Sequence, residues 1–149
     1  MKLLKKAAWL LAASGITFAV IVVSIIVYQY TAMQPRLPSE DDCTLKQMVQ
    51  TADRSAEVRH YFCARGEKTQ WQGHELWLVQ PDTEDWQRML TTRSANCLKL
   101  HLQDQTLHLI HDGERMEMNL AEPVFLYRNQ QGQSVTLAVD IEKQPREGC

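Results

Sequence analysis

The sequence predicts a single N-terminal transmembrane helix followed by an α+β domain, in which two helices cover an antiparallel β-meander stapled by disulfides. Three observations lead to this fold class. Residues 7–30 contain no charged side chain, residues 44–62 repeat apolar residues at helical spacing, and residues 98–141 alternate apolar and polar residues. The first pattern predicts a membrane span, the second is typical of an amphipathic helix, and the third indicates half-buried strands.

Residues 7–30 are long enough to cross a bilayer, because a hydrocarbon core of about 30 Å needs roughly 20 apolar residues in a helix. Three lysines lie in residues 1–6, so the positive-inside rule places this short stub in the cytoplasm and the rest of the chain outside. The alternative is a cleaved signal peptide, but its apolar region should span only about 7–15 residues. We therefore expect an uncleaved, single-pass anchor in a bacterial inner membrane, with the C-terminal domain in the periplasm.

Small residues recur along one side of the predicted anchor. A stripe of this kind lets two helices approach closely in lipid, where packing is the main force between them. It predicts a packing face formed by Ala8, Ala12, Gly15 and Ala19.

Residues 31–42 are predicted to be a linker, because Pro35 and Pro38 block regular structure there. Residues 43–149 then form one periplasmic domain, long enough to bury its own core. Residues 31–149 carry 13 basic and 18 acidic side chains, a net charge of −5, since three of the chain's 16 basic residues precede the anchor. This acidic balance argues against nucleic acid as a partner, which requires clustered Lys and Arg.

Two helices are predicted in the domain. The first begins at Thr44 after Asp42 as N-cap and ends near Arg54 or runs on to Phe62, and residues 58–62 are equally consistent with a strand. Its apolar positions at helical spacing are Leu45, Met48, Val49, Ala52 and Ala56. The second helix is short and follows Asp82 as N-cap, with acidic residues in its first turn. Its expected buried face consists of Trp86, Met89 and Leu90.

The alternation that begins at Leu98 predicts the strands of the meander and their register. A loop at 104–105 places Leu100 opposite Leu109, and a two-residue hairpin at 112–113 places Leu109 opposite Met116. Both registers put apolar residues beside apolar residues.

The same register aligns two imidazoles and a carboxylate across three neighbouring strands, on the polar face of the meander. They belong to His101, His108 and Glu117. Directly opposed Cβ atoms lie about 5 Å apart, and these groups suit a zinc-like ion with an open coordination position. The simpler explanation is a solvated sheet face. A metal-binding or metal-dependent hydrolytic domain is therefore the alternative hypothesis for function.

Catalytic residues are not indicated by any sequence motif. His60 or His74 with Cys63 would make a Cys/His nucleophilic pair, but a free thiolate is improbable beside three other exported cysteines. The chain carries no nucleophile elbow, so we expect neither a catalytic site nor a cofactor.

All four cysteines follow the predicted anchor, and an even number in an oxidising compartment predicts two disulfides. They are Cys43, Cys63, Cys97 and Cys149. A continuous helix over 44–62 would separate the first two by roughly 28 Å, whereas a disulfide needs Cα atoms within about 7 Å. Domain termini are often close together, which favours the pairs Cys43–Cys149 and Cys63–Cys97.

Aromatic side chains suggest where a partner would bind. Trp71, Trp77, Phe125 and Tyr127 are the candidate partner-binding residues, since aromatic residues are enriched at interfaces, although most tryptophans of such a domain belong to its core. The single anchor, the acidic domain and the lack of visible chemistry favour an accessory or interaction protein. Its partner would be another envelope protein or a second copy of the chain.

Overall fold

The computed structural model describes residues 15–28, 35–65, 71–93 and 95–144. The chain divides into two compact units, residues 1–36 and residues 37–149. In the first unit, residues 15–28 form helix α1.

Helix α1 covers part of the predicted membrane span. Across the described ranges, no helix combines the length and the apolar character needed to cross a membrane. The prediction of a transmembrane helix over 7–30 is therefore corrected: the described part of this range is the helix at 15–28. The other residues of the range lie outside the described ones. Of the predicted packing stripe, Gly15 and Ala19 lie one turn apart on α1, whereas Ala8 and Ala12 are not among the described residues.

The second unit is built from β-strands, which corrects the α+β prediction. Its only helical element among the described residues is a 3-10 turn at Arg115–Glu117. The strands are β1 (Cys43–Gln50), β2 (Glu57–Arg65), β3 (Trp71–Gln80), β4 (Asp85–Thr92), β5 (Leu98–Gln103), β6 (Thr106–His111), β7 (Met118–Leu120), β8 (Val124–Arg128) and β9 (Ser134–Lys143).

The strands form two sheets instead of the single predicted one. The first sheet has the order β1-β2-β3-β4-β7, and the second has the order β5-β6-β9-β8. Strands β6 and β9 pair in parallel, while the other pairs are antiparallel. One hydrophobic core joins the two sheets, and its members include Leu76, Leu78, Met89, Leu90, Leu100, Leu107, Leu109, Phe125, Tyr127 and Leu137.

The predicted helix over 44–62 is wrong because a β-bulge in β1 imitates helical spacing. The register between β1 and β2 shifts between Leu45 and Gln47, so Lys46 is the extra residue. A bulge of this kind puts two residues of one strand against one of its neighbour. Leu45 and Met48 consequently share a face of the strand although they are three residues apart. The alternative of a strand over 58–62 is confirmed by β2.

The second predicted helix is also wrong, because its residues belong to strand β4. Residues 81–84 form a turn in which Glu84 has a positive φ of 52°, and β4 follows directly. The register between β3 and β4 shifts so that Met89 has no partner on β3. The three residues do not form one buried face, because Met89 and Leu90 belong to the core whereas Trp86 faces Arg59 on the opposite side of the sheet.

The first hairpin of the predicted meander is confirmed. Strands β5 and β6 pair with Leu100 opposite Leu109 and Leu102 opposite Leu107. The turn between them contains Asp104 with φ of 53°, a conformation that Asp tolerates better than most residues.

The predicted hairpin at 112–113 is wrong, because the Asp112 side chain serves a different turn. Its Oδ1 accepts hydrogen bonds from the backbone N–H groups of Asn96 and Cys97, each at 2.9 Å. The chain then crosses to the first sheet, where β7 pairs with β4. Met116, expected to oppose Leu109, is instead 99% exposed.

The disulfides also differ from the predicted pairs. Cys43 and Cys63 face each other across β1 and β2, with Cα atoms 4.0 Å apart, and are bonded. The pairs Cys43–Cys149 and Cys63–Cys97 are therefore wrong, since both depended on a helix that keeps Cys43 from Cys63. Cys97 is also disulfide-bonded, and Cys149 lies outside the described residues.

Candidate interaction surface

The face of the first sheet that points away from the core carries apolar and aromatic side chains beside an arginine. Strand pairing brings them together: Leu45 faces Tyr61, and Met48 faces Arg59. Trp86 joins them from β4. We call these five residues the Arg59–Trp86 surface.

Solvent reaches the middle of this surface. Leu45 is 48% and Met48 is 46% exposed, and Tyr61 and Trp86 are half-buried. The guanidinium carbon of Arg59 lies 5.1 Å from the centre of the Trp86 ring, a distance at which a cation is attracted to the ring face. Trp86 also meets the fully buried Trp77 edge-on at 6.2 Å. The half-buried Trp86 ring is thus held in one orientation.

Electrostatics on this face are dominated by arginines. Arg59 donates a hydrogen bond of 2.9 Å from its terminal NH2 group to Glu57 Oε1, and this bond raises the pKa of Arg59 above its ordinary value. Arg65 donates two bonds of 2.9 Å to the carboxylate of Glu75. Both carboxylates are buried and paired with an arginine, so neither is a free acid on this face.

The aromatic residues predicted to bind a partner do not form one surface. Trp71 is half-buried at the start of β3, and Trp77 is fully buried beneath Trp86. Phe125 and Tyr127 lie in the core between the sheets. A Cβ on Gly73 would overlap the carbonyl oxygen of Thr92, so only glycine lets β3 and β4 approach there.

The sequence did contain a signal for part of the Arg59–Trp86 surface. Arg59 and Tyr61 are two residues apart on β2, so the alternation of a strand places their side chains on one face. The prediction of a helix over 44–62 concealed this relation.

Of the three residues predicted to bind a metal ion, only two lie beside each other. His101 faces His108 as predicted, and His108 Nδ1 lies 3.3 Å from Asp140 Oδ2 on β9. Glu117 belongs instead to the 3-10 turn that leads into β7 of the first sheet. Asp140 therefore takes the third place in the row across the second sheet.

Among the residues that the structure describes, one group brings three metal-ligand atoms within 4.8 Å of one another. It consists of Cys43, Cys63 and Glu75. Both cysteines are consumed in their disulfide, and Glu75 is bound by Arg65 and by the indole N–H of Trp77. The geometry accordingly favours no metal centre at this position.

Two histidines in the interior share a hydrogen bond. His60 Nε2 lies 2.8 Å from His74 Nδ1, and His74 Nε2 lies 2.8 Å from the carbonyl oxygen of Ala95. A carbonyl only accepts, so His74 carries its proton on Nε2 and His60 donates to His74. Burial, followed by the charges of His74 and Lys46, lowers the pKa of His60 to about 4. Cys63 is in a disulfide, so neither histidine has a thiolate partner there.

No protein-family model, curated protein or solved structure matches this chain. The geometry defines a class nonetheless: a disulfide-stapled domain of two β-sheets with an aromatic, arginine-bearing outer face.

Proposed function

We propose that this chain is a membrane-attached accessory protein of the bacterial envelope, whose β-domain lies in the periplasm and binds another envelope protein. The observation that carries the proposal is the composition of the Arg59–Trp86 surface. Met, Tyr, Trp and Arg are the residue types enriched at protein interfaces, and Trp, Tyr and Arg are the usual energetic hot spots.

The partner's contact segment should be apolar and acidic. Leu45 and Met48 offer apolar area beside the aromatic rings, and the carboxylates of Glu57 and Glu75 are already bound by arginines. An incoming carboxylate would meet Arg59 without repulsion from a free acid on β2 or β3. Electrostatic complementarity of this kind gives specificity and faster association.

Two features support a periplasmic location at the membrane. The Cys43–Cys63 bond is of a kind that persists in oxidising compartments. Helix α1 exposes apolar side chains along its whole length, and a helix that is apolar all round is buried in protein or in lipid. Lys2, Lys5 and Lys6 precede this region in the sequence.

Topology is tested with alkaline phosphatase fused after Cys149. The expected result is an active fusion that fractionates with membranes and resists a carbonate wash. An inactive fusion would place the domain in the cytoplasm, and an active fusion in the soluble fraction would contradict membrane attachment.

Partner binding is tested by a photo-crosslinking amino acid placed at Met48 of the full chain in living cells. The expected product is a crosslink to one envelope protein that disappears when Arg59→Glu is added. The matched control places the same crosslinker at His101, an exposed position on the second sheet, where no such product should form. A crosslink between two copies of the chain, the same product from both positions, or no product from Met48 would overturn the proposed partner.

A further inference from the structure

A cleft of about 390 Å³ opens where the ends of β6 and β9 meet β7. It contains no residue of the Arg59–Trp86 surface. Its walls are formed by His111, Arg115, Met118, Leu120, Ile141 and Lys143. The volume falls within the range of about 300–1,000 Å³ that is typical of small-molecule sites.

His111 supplies a buried donor at this cleft. Its side chain is 1% exposed, and its Nδ1 accepts a hydrogen bond of 3.1 Å from the backbone N–H of Gly113. The neutral ring must then carry its proton on Nε2. Burial lowers the pKa of His111, with the charge of Lys143 as the second cause, so the ring is neutral at neutral pH. Within the described part of the chain, Nε2 has no hydrogen-bond partner.

Positive charge and apolar surface share the cleft. Arg115 forms no ion pair with any residue in the described ranges, and Lys143 makes a long contact of 3.6 Å with Glu114 in which both side chains are largely exposed. Met118, Leu120 and Ile141 supply the remaining wall. An anion at His111 and Arg115 would therefore have hydrocarbon contacts beside it.

We propose that this cleft binds a medium-chain alkyl carboxylate, with the carboxylate on His111 Nε2 and Arg115 and the alkyl chain against Met118, Leu120 and Ile141. The planar guanidinium of arginine matches the two oxygens of a carboxylate. The N–H of a neutral imidazole can donate a hydrogen bond to a carboxylate oxygen. The proposal is independent of the partner binding proposed above, because the two sites share no residue.

The test uses the full chain in lipid nanodiscs with 15N-labelled histidine, and decanoate as the probe. The expected result is a saturable shift of the His111 Nε2 resonance. Arg115→Gln should weaken the apparent affinity at least tenfold, and uncharged 1-decanol should bind at least tenfold more weakly than decanoate. The matched control Arg128→Gln, on β8 of the second sheet, should change nothing.

The position of the reporting atom separates the cleft from the lipid. Decanoate that only partitions into the nanodisc leaves the His111 resonance in place, which would overturn the proposal. Equal binding of decanoate and decanol would overturn it as well, and so would an affinity that Arg115→Gln leaves unchanged. Because Arg115 is exposed in the 3-10 turn, this variant tests binding without disturbing the core.

Discussion

The ion pairs of the two sheets differ in their exposure to solvent. In the first sheet, the Arg65 and Glu75 side chains are 14% and 4% exposed. In the second sheet, the corresponding values for His108 and Asp140 are 39% and 65%. Removing one partner of a buried pair strands the other charge away from water, whereas an exposed charge is simply hydrated. The first sheet should therefore respond strongly to changes in charge and redox state, and the second should tolerate them.

The largest effect is expected from Glu75→Ala. The substitution leaves the Arg65 guanidinium and the Trp77 indole N–H without their acceptor, and breaking a buried pair in this way costs about 3–5 kcal/mol. The free energy of unfolding, measured by urea denaturation of the full chain, checks the value. Glu75→Gln, which keeps the shape and loses the charge, should fall between the variant and the wild type. A loss below about 1 kcal/mol would show that the hydrogen bonds of Glu75 to Arg65 and Trp77 contribute little to stability.

The disulfide of the first sheet should contribute somewhat less. Cys43 and Cys63 are separated by 20 residues, and closing a loop of that size stabilises a fold by about 3 kcal/mol in the chain-entropy treatment. The double variant Cys43→Ser, Cys63→Ser should lose about this amount in urea denaturation. Reduction should destabilise the wild type by about this amount more than it destabilises the double variant, which keeps the disulfide of Cys97. An equal effect of reduction on both proteins would show that the Cys43–Cys63 bond contributes little.

Peptide mapping without reduction checks the pairing itself. It should return Cys43 joined to Cys63 and, since Cys97 is bonded, Cys97 joined to the one cysteine left in the sequence, Cys149. A peptide that joins Cys63 to Cys97 would contradict both.

Acid should destabilise the first sheet through His60, by at most about 3 kcal/mol. The pKa of His60 is lowered to about 4 from 6.5. Between these two pH values, His60 is therefore protonated in the unfolded chain and neutral in the folded chain. The free energy of unfolding is therefore unaffected by His60 above pH 6.5, decreases as the pH drops toward 4, and changes no further through His60 below that value. Lys46 and His74 disfavour the added charge on His60, and Asp112 acts in the opposite sense on His74.

The measurement is urea denaturation at a series of pH values for the wild type and His60→Gln. The variant should lose most of the slope between pH 4 and 6.5. His101→Gln, at an exposed position, should keep the wild-type slope. Identical slopes for all three proteins would show that other groups cause the acid sensitivity.

The same contrast between the sheets explains which parts of the fold could be predicted. The register of β5 and β6 follows from an uninterrupted alternation and a short turn, so Leu100 and Leu109 were placed correctly. In the first sheet, the extra residues Lys46 and Met89 shift the alternation by one position. The shift at Lys46 creates an apparent helical repeat, and the predicted helix in turn excluded the Cys43–Cys63 pair.

The candidate surface was missed for a related reason. Arg59 meets Met48 and Trp86 through the pairing of neighbouring strands, and no local pattern in the sequence reports that pairing. The parallel pairing of β6 with β9 also lay beyond sequence reasoning, since it joins strands separated by the crossing to β7. Trp77 and Phe125, which the sequence predicts as binding residues, are buried instead, because burying large aromatic side chains contributes strongly to stability.

The smallest effect is expected from Asp140→Asn in the second sheet. His108 Nδ1 and Asp140 Oδ2 are 3.3 Å apart, but water solvates both groups, so the pair should contribute about 0–1 kcal/mol. Urea denaturation at pH 6 should therefore separate this variant from the wild type by no more than that, and added salt should reduce the difference further. The substitution keeps the size of the side chain, so packing is not disturbed. A loss comparable to that of Glu75→Ala would mean that the second sheet also depends on its charges, and the contrast between the two sheets would fail.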